Sequence, residues 1–188
     1  MNKAELRREM LLLSEALSES ERKKSDSDIS TRFLEGYSKH SFKKVFVYVG
    51  VGHEIATDRI IENLIAQGKE IYVPLCHGKG QMDAVRIFSL SELTPGRYGI
   101  PEPKSGGRAL PPHELNLIIV PGVAFGEDCT RLGRGGGYYD RFMAEAKNAL
   151  KIALCREINI QMTVPCELHD ETVDGIVTEL RIIKRKER

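Results

Sequence analysis

The sequence predicts one α/β domain over residues 1–188, with three layers: a mostly parallel open sheet of about six strands, helices on both of its faces, and an N-terminal helical hairpin. Three observations favour this fold. Short apolar runs alternate with amphipathic segments along the chain. Residues 115–120 are apolar at nearly every position, as a central strand covered on both faces requires. Finally, 188 residues is a usual length for one domain.

Two helices are predicted before the first strand. Asn2 and Glu5 have the spacing of a capping box, which marks the start of a helix. Ser18 and Glu21 repeat this spacing at the start of a second helix. Apolar residues recur at three- and four-residue spacing in both segments: Leu6, Met10, Leu13 and Leu17, then Ile29, Phe33 and Tyr37. We expect the two helices to form a hairpin.

A β-α-β unit is predicted next. Residues 45–49 are β-branched or aromatic and are followed by glycines, which is typical of a buried strand. Thr57 is expected to cap a helix that ends at Gly68, and residues 70–74 then form the next strand. This order implies a parallel sheet. The other predicted strands are 84–90, 115–120, 152–155 and 175–180, and residues 138–146 form a further helix.

Composition excludes several classes of function. Lys and Arg total 28 against 27 for Asp and Glu, and a net charge of +1 supplies no broad field for a nucleic-acid backbone. The four cysteines form no Cys-x-x-Cys pair, so reduced thiols are expected rather than a zinc knuckle. The sequence has no apolar stretch of signal-peptide or membrane-span length. We therefore expect a cytoplasmic protein without a membrane, nucleic-acid or obligate protein partner.

The segment from Arg131 to Asp140 carries the clearest chemical signal, because four of its residues are glycines within five positions. Glycine lets backbone N–H groups converge on an anion, and nearby arginines add charge-assisted hydrogen bonds. The helix predicted to follow would direct its N-terminal dipole at the same anion. A flexible linker would not concentrate arginines, tyrosines and an aspartate in so short a span. The segment therefore predicts a phosphate-binding loop.

Two familiar phosphate motifs do not fit this segment. A Walker A loop would end in Gly-Lys-Ser or Gly-Lys-Thr, whereas this loop runs into Tyr138 and Tyr139. A dinucleotide fingerprint starting at Gly133 would need a glycine at position 138. The residues alone therefore indicate phosphate binding without naming the ligand.

Other charged residues leave alternatives open. Lys3 and Arg7 lie in the first turns of a helix, where positive charge opposes the dipole; this indicates either a function or a solvated face relieved by Glu5. Glu54 follows the first strand, where it is either a ligand-binding carboxylate or merely solvated. Near the C-terminus, Asp170, Glu171 and Asp174 offer carboxylates. One of them meeting Asp140 around a magnesium ion is chemically sensible but is not required by the sequence.

Five motifs occur in a characteristic order: Lys3-Ala4-Glu5-Leu6-Arg7, His53-Glu54-Ile55, Pro121-Gly122-Val123-Ala124-Phe125, Arg131-Leu132-Gly133-Arg134-Gly135-Gly136-Gly137-Tyr138-Tyr139-Asp140, and residues 164–174. Together they resemble the signature of the 5-formyltetrahydrofolate cyclo-ligase family, whose members are also called methenyltetrahydrofolate synthetases. The chain departs from the family pattern at Gly126 and Cys129, before the phosphate loop. Position 134 varies between arginine and tyrosine in the family.

The resemblance implies an ATP- and magnesium-dependent conversion of 5-formyltetrahydrofolate to 5,10-methenyltetrahydrofolate, with release of ADP and phosphate. It implies that ATP is bound by Lys3, Ala4, Glu5, Leu6, Arg7, Arg131, Leu132, Gly133, Arg134, Gly135, Gly136, Gly137, Tyr138 and Tyr139. Arg131 and Arg134 would be catalytic, Val49, Glu54 and Tyr138 would bind the folate, and Asp140 and Asp170 would bind magnesium. Two other functions compatible with the residues are a sugar-phosphate isomerase or transferase and a non-catalytic nucleotide-binding module.

Overall fold

An eight-stranded sheet forms the centre of a computed structural model that describes residues 1–37, 39–78, 80–96, 99–104 and 107–186. The helices are α1 (Lys3–Ala16), α2 (Glu19–Tyr37), α3 (Asp58–Ala66) and α4 (Tyr138–Glu145). The strands are β1 (Lys44–Val47), β2 (Glu70–Gly78), β3 (Gln81–Ile87), β4 (Leu93–Pro95), β5 (Pro101–Pro103), β6 (Ala109–Leu110), β7 (Leu117–Val120), β8 (Ala124–Gly126), β9 (Arg131–Leu132), β10 (Leu150–Leu154), β11 (Ile160–Gln161), β12 (Gly175–Val177) and β13 (Ile182–Lys184).

The central sheet is mostly parallel, as predicted. Its strand order is β13-β12-β10-β7-β1-β2-β3-β6, in which the five strands from β12 to β2 are parallel. The edge strand β13 pairs antiparallel with β12, and at the other end β3 pairs antiparallel with both β2 and the edge strand β6. The sheet has more strands than the six predicted because β6 and β13 are only two and three residues long, too short for a periodic signal. The β1-α3-β2 unit is confirmed by the parallel pairing of its strands.

Alternating side chains of the inner strands build two separate cores. On β1, Val45 and Val47 pack into one cluster with α2 and α3, whereas Phe46 packs into the opposite one. The ring of Phe46 lies 4.5 Å from that of Phe142 on α4, measured between centroids. The predicted three layers are therefore present, with α2 and α3 on one face of the sheet and α4 on the other.

The two N-terminal helices begin as the capping boxes predict. Glu5 N donates to Asn2 Oδ1 at 2.9 Å, and Asn2 N donates to Glu5 Oε2 at 2.8 Å. The same exchange joins Ser18 and Glu21. Among the described residues, no helix has the combination of length and apolar character that a membrane crossing needs.

The first helix packs away from the central sheet. Leu6 and Met10 of α1 are buried against Val123, Ala124 and Leu132, which belong to a small sheet of order β11-β8-β9 or adjoin it. The second helix, α2, instead contributes to a core of the central sheet. As a result, α1 covers the strand β9 that leads into the glycine-rich segment.

Thr57 precedes α3 as predicted, but its side chain does not cap the helix. Its hydroxyl donates to the Tyr48 carbonyl oxygen at 2.7 Å and accepts from Gly50 N at 3.2 Å. The side chain is completely buried. Thr57 therefore fixes the start of the loop that follows β1, because this buried hydroxyl satisfies two backbone groups of that loop.

We expect Thr57→Val to lower the free energy of unfolding by about 1–3 kcal/mol, since two buried backbone groups lose their partner while the shape is kept. Urea denaturation measures the change. Thr57→Ser keeps both hydrogen bonds and should lose less stability. An equal loss in the two variants would show that the methyl group, and not the hydroxyl, is what the site needs.

Candidate functional site

The order of the strands creates a crevice next to β1. The chain passes from β1 to β2 on one side and returns to β7 on the other side, so that the direction of winding reverses between β1 and β7. Ligands bind outside the carboxyl ends of parallel strands at such a reversal. A cavity of 1420 Å³ lies there, lined by Tyr48 and Val49 after β1 and by Pro121 and Gly122 after β7.

This cavity brings together most of the residues predicted for the site. The predicted residues in its wall are Lys3, Ala4, Arg7, Val49, Glu54, Asp170 and every residue from 131 to 140. These residues come from α1, from the loops after β1 and β9, and from the C-terminal segment. The predicted nucleotide-binding and folate-binding residues therefore share one cavity.

Two residues of the predicted nucleotide-binding set, Glu5 and Leu6, do not line the cavity. Glu5 is exposed and holds the capping box of α1. Leu6 is 1% exposed and packs beneath α1. The reason is helical geometry, since neighbouring residues project about 100° apart and cannot all face one ligand.

The glycine-rich segment joins β9 directly to α4. Gly135 has φ +99° and Gly137 has φ +66°, a left-handed region that strongly favours glycine. Gly137 is the N-cap of α4, and the first N–H groups of a helix have no partner within it. The loop therefore presents a helix N-terminus and exposed backbone to the cavity, which is the arrangement predicted for anion binding.

One departure from the family pattern, Cys129, lies in the turn before β9. Cys129 has φ +67°, a conformation that is unusual for a residue other than glycine. Its N–H donates to the Gly126 carbonyl oxygen at 2.9 Å, and its side chain is fully buried. Burial raises the pKa of the Cys129 thiol to about 11, so the thiol stays protonated at neutral pH. All four cysteines are free.

Arg131 is held inside the protein rather than presented to a ligand. Its side chain is 3% exposed; Nη2 donates to Asp140 Oδ1 at 2.6 Å, and Nη1 donates to the Pro121 carbonyl oxygen at 3.2 Å. Its Nε is buried and has no hydrogen-bond partner in the part of the chain that the structure describes. A guanidinium engaged at both ends positions Asp140 and the loop after β7. The catalytic role of Arg131 stays a prediction.

Two other arginines are better placed to meet an anion. Arg7 donates from Nε to the Gly133 carbonyl oxygen at 2.7 Å, and its Nη groups have no acceptor among the described residues. The side chain of Arg134 is 58% exposed, and its Nε lies 3.1 Å from Glu54 Oε1. This pair joins the glycine-rich loop to the loop after β1.

Lys3 and Asp170 are paired with each other. Lys3 Nζ lies 2.5 Å from Asp170 Oδ2 and 3.0 Å from Glu167 Oε1, and Glu167 N also donates to Asp170 Oδ2. Burial alone would raise the pKa of the Asp170 carboxyl, but its bonds to Lys3 and Glu167 lower the pKa overall. The pair ties α1 to the C-terminal segment in the wall of the cavity.

The predicted metal ligands lie close together in the cavity wall. Glu171 N, in the residue after Asp170, donates to Asp140 Oδ1 at 3.3 Å. Each carboxylate uses one oxygen for these contacts and leaves the other without a hydrogen bond to the residues that the structure describes. Within that part of the chain, no three His, Cys, Asp or Glu residues cluster to hold a metal. The donor set suits a cation that takes its other ligands from phosphates and water, as Mg²⁺ does.

Two tyrosines near Glu54 remain neutral. Burial, and then the negative charge of Glu54, raise the pKa of Tyr48 and of Tyr139 well above the ordinary value of 10.0. Both phenols line the cavity and are available as hydrogen-bond donors rather than as bases. The predictions for the site did not include Tyr48, although its position directly after β1 is a usable signal.

Other parts of the wall have no local signal in the sequence. Pro74, Cys76 and Met82 line the cavity from β2 and β3. The antiparallel hairpin of these strands extends past the end of β1, which local periodicity does not indicate. Arg141 donates to the Gly80 carbonyl oxygen at 3.0 Å and to that of Gly136, which fixes this hairpin against the glycine-rich loop.

The fold and the cavity define an open-sheet α/β protein whose site lies at the reversal of strand order. Residues 1–179 match the model of the 5-formyltetrahydrofolate cyclo-ligase family. The chain belongs to this family and is accordingly an ATP-dependent ligase.

Individual proteins of known name are similar over nearly the whole chain. A probable 5-formyltetrahydrofolate cyclo-ligase of Caenorhabditis elegans is 32% identical over 190 residues, covering 94% of this chain and 92% of the relative. The NMR structure of Aquifex aeolicus 5,10-methenyltetrahydrofolate synthetase superposes with a TM-score of 0.88 at 30% identity, covering 100% of this chain and 95% of the other. A synthetase structure from Mycoplasma pneumoniae shares the fold, with a TM-score of 0.79 at 21% identity, covering 95% and 99% of the two chains.

We expect Lys3→Ala to lower the free energy of unfolding by about 1 kcal/mol, because Asp170 loses its partner at a mostly covered position. Arg8→Ala is the matched control, since Arg8 is an exposed cation on the same helix. Thermal unfolding should show a loss for Lys3→Ala and none for Arg8→Ala. Equal melting temperatures for the two variants would mean that the ion pair contributes nothing to docking α1.

Proposed function

We propose that the chain uses ATP to convert 5-formyltetrahydrofolate to 5,10-methenyltetrahydrofolate, releasing ADP and phosphate. The observation that carries this proposal is the 3.1 Å contact between Arg134 and Glu54. It joins an anion-binding loop to a carboxylate suited to an N–H-rich heterocycle, within one cavity of 1420 Å³. A phosphorylated ligand and a heterocyclic ligand would therefore meet at this contact.

The chemistry requires that the formyl oxygen become a leaving group. In the first step the formyl oxygen attacks the γ-phosphorus of ATP, the bond to the bridging oxygen breaks, and ADP leaves. Nitrogen 10 then attacks the activated formyl carbon and loses its proton, and the C–O bond breaks to release phosphate. Nitrogen 5, which carries the formyl group, and nitrogen 10 belong to one bound molecule, so ring closure gains from proximity. No residue of the chain needs to be covalently modified.

On the phosphate side, the backbone of residues 133–137 and the exposed guanidinium of Arg134 would stabilise the charge of the transferring phosphoryl group. The Nη groups of Arg7 have no acceptor among the described residues, so Arg7 would contribute a further cation above the same loop. Arg131 would act through its ion pair with Asp140. Lys3 would close the nucleotide end of the cavity through its contacts with Glu167 and Asp170.

On the folate side, Glu54 would accept hydrogen bonds from the pterin while Val49 supplies an apolar contact. Tyr138 would stack on the ring system or donate to it. Gly136 is required beside Tyr138, because a side chain there would come within 2.9 Å of the tyrosine ring. Arg134 bonds to Glu54 through Nε, so its Nη groups are left to face phosphate.

Magnesium is proposed at the phosphate end, with Asp140 and Asp170 as its protein ligands. When bound, the ion would neutralise charge on the phosphates. Asp140 Oδ2 is open to this role because Arg131 and Glu171 N both bond to Oδ1. The proposed location of the protein is the cytoplasm, which its four free cysteines support.

The absorbance of the methenyl product tests the function directly. Purified protein with 5-formyltetrahydrofolate, ATP and magnesium should produce this absorbance together with stoichiometric ADP, and omission of magnesium should stop it. Turnover that needs the folate contradicts a sugar-phosphate isomerase or transferase. Binding of ATP without any turnover would instead favour a nucleotide-binding module and would overturn the proposed reaction.

Substitution of Arg134 should impair catalysis, whereas substitution of Arg131 should impair stability. Arg134→Gln should lower kcat about 100-fold, because charge on the transferring group loses a donor. Its melting temperature should not change, since the side chain is mostly exposed. Arg131→Gln should instead lower the free energy of unfolding by about 3 kcal/mol, because Asp140 loses a buried partner. Normal kcat in Arg134→Gln would remove this residue from the phosphoryl site.

A further inference from the structure

A buried ion pair lies behind the cavity and outside the residues discussed so far. Arg156 follows β10 at its carboxyl end, and Asp26 lies on α2. Arg156 Nη2 is 2.5 Å from Asp26 Oδ1, and Arg156 Nε donates to Ser25 Oγ at 2.8 Å. The Arg156 side chain is 3% exposed and does not line the main cavity.

The ion pair also contacts the loop that carries Glu54. Arg156 Nη1 donates to the His53 carbonyl oxygen at 2.9 Å. The backbone N–H of Ala56 faces the Asp26 carboxylate and favours its charged form, which partly offsets the rise in pKa that burial causes. The pair therefore holds the segment 53–56 by a hydrogen bond at His53 and faces it at Ala56. We call Asp26 and Arg156 the loop clamp.

Glu54 itself has few contacts that could orient it without the loop clamp. Its Oε2 accepts from Val51 N at 3.2 Å, and its Oε1 accepts from the exposed Arg134 at 3.1 Å. The first contact lies within the same loop. The second is to an exposed arginine side chain, and a bound phosphate would compete with Glu54 for it. The direction of the Glu54 carboxylate therefore depends on where the loop is held.

Stability alone is a poor explanation for the loop clamp. Burial raises the pKa of the Asp26 carboxyl, and the charge of Arg156 only partly offsets this. Desolvation of two charges often cancels their attraction, so apolar residues of similar volume are commonly as stable. What apolar residues would not supply is a donor for the His53 carbonyl.

We propose that Asp26 and Arg156 are positioning residues for the folate site, which hold the loop 53–56 so that Glu54 faces the pterin ring. This inference rests on the proposed function through the assignment of Glu54 to the folate. Among the described residues, the clamp makes no hydrogen bond to the glycine-rich loop or to α1. Its effect on affinity for the folate should therefore exceed its effect on affinity for ATP.

The test uses a double variant, Asp26→Leu with Arg156→Met, which replaces the charges by apolar side chains of similar volume and is expected to fold. The KM for 5-formyltetrahydrofolate should rise about tenfold, as for a ligand group displaced by a fraction of an ångström. The KM for ATP should change less than about twofold by the same reasoning. Asp26→Asn, which keeps an acceptor, should give a smaller rise in the folate KM.

Arg59→Met is the matched control. Arg59 bonds from α3 to Ser27 and Thr31 on α2, next to the clamp but without contact to the loop. This variant should leave both KM values unchanged. If it raises the folate KM as much as the double variant does, general loosening of α2 explains the effect and the proposal is overturned.

Combination with Glu54→Gln shows whether the clamp acts through Glu54. The double variant should add little to the folate KM of Glu54→Gln, because the group that it positions is already altered. Fully additive effects would overturn the proposal.

Hydrogen exchange of the amides of residues 51–56 keeps the clamp testable if the wild-type protein shows no turnover and the proposed function fails. Exchange should be faster in the double variant than in wild type or Arg59→Met. Unchanged exchange would overturn the clamp on its own.

Discussion

The structure depends on the burial of β1 at the centre of the parallel sheet. β1 is covered on both faces and is paired on both sides, with β2 and β7. A ligand can therefore approach this part of the sheet only at the carboxyl ends of the strands. Because the chain winds to β2 first and returns to β7 later, the loops after β1 and β7 diverge. The crevice between them becomes a cavity once β9, α4 and α1 close its open side. The position of the site is thus a consequence of strand order.

The arginines around this cavity fall into two groups that differ in burial. Arg131 and Arg156 are almost fully covered, and each bonds to a carboxylate and to a backbone carbonyl: that of Pro121 in the cavity wall and that of His53 next to Glu54. Arg7 and Arg134 line the cavity, and their Nη groups have no acceptor among the described residues. A buried guanidinium satisfied at several points is rigid, whereas an exposed one adapts to a ligand. The first pair therefore shapes the walls, and the second is left for the ligands.

The N-terminal helix is part of the site although it lies outside the main layers. Leu6 and Met10 anchor it on the small sheet that contains β9, and Lys3 ties its first turn to Asp170. The placement of α1 over β9 brings Arg7 onto the Gly133 carbonyl. Positive charge at this helix N-terminus opposes the dipole locally, and the contacts made across the molecule offset that cost.

By itself the sequence determined the features that are encoded locally. The apolar runs, the capping boxes and the glycine-rich segment correctly predicted the parallel sheet, the starts of α1 and α2, and the loop that enters α4 at Tyr138. Each depends on residues within one or two turns of each other, where backbone preference and periodicity decide the outcome. The family motifs then indicated which residues belong to one site.

The tertiary structure alone decided what each of those residues contacts. Arg131 and Arg134 are three positions apart and look equivalent, but only Arg131 lies on a strand beneath α1, where it is buried against Asp140. Lys3 meets Asp170 across 167 positions, and Arg156 meets His53 across 103. No local pattern specifies such pairs, because they form only when the packing of the sheet and helices brings distant segments together.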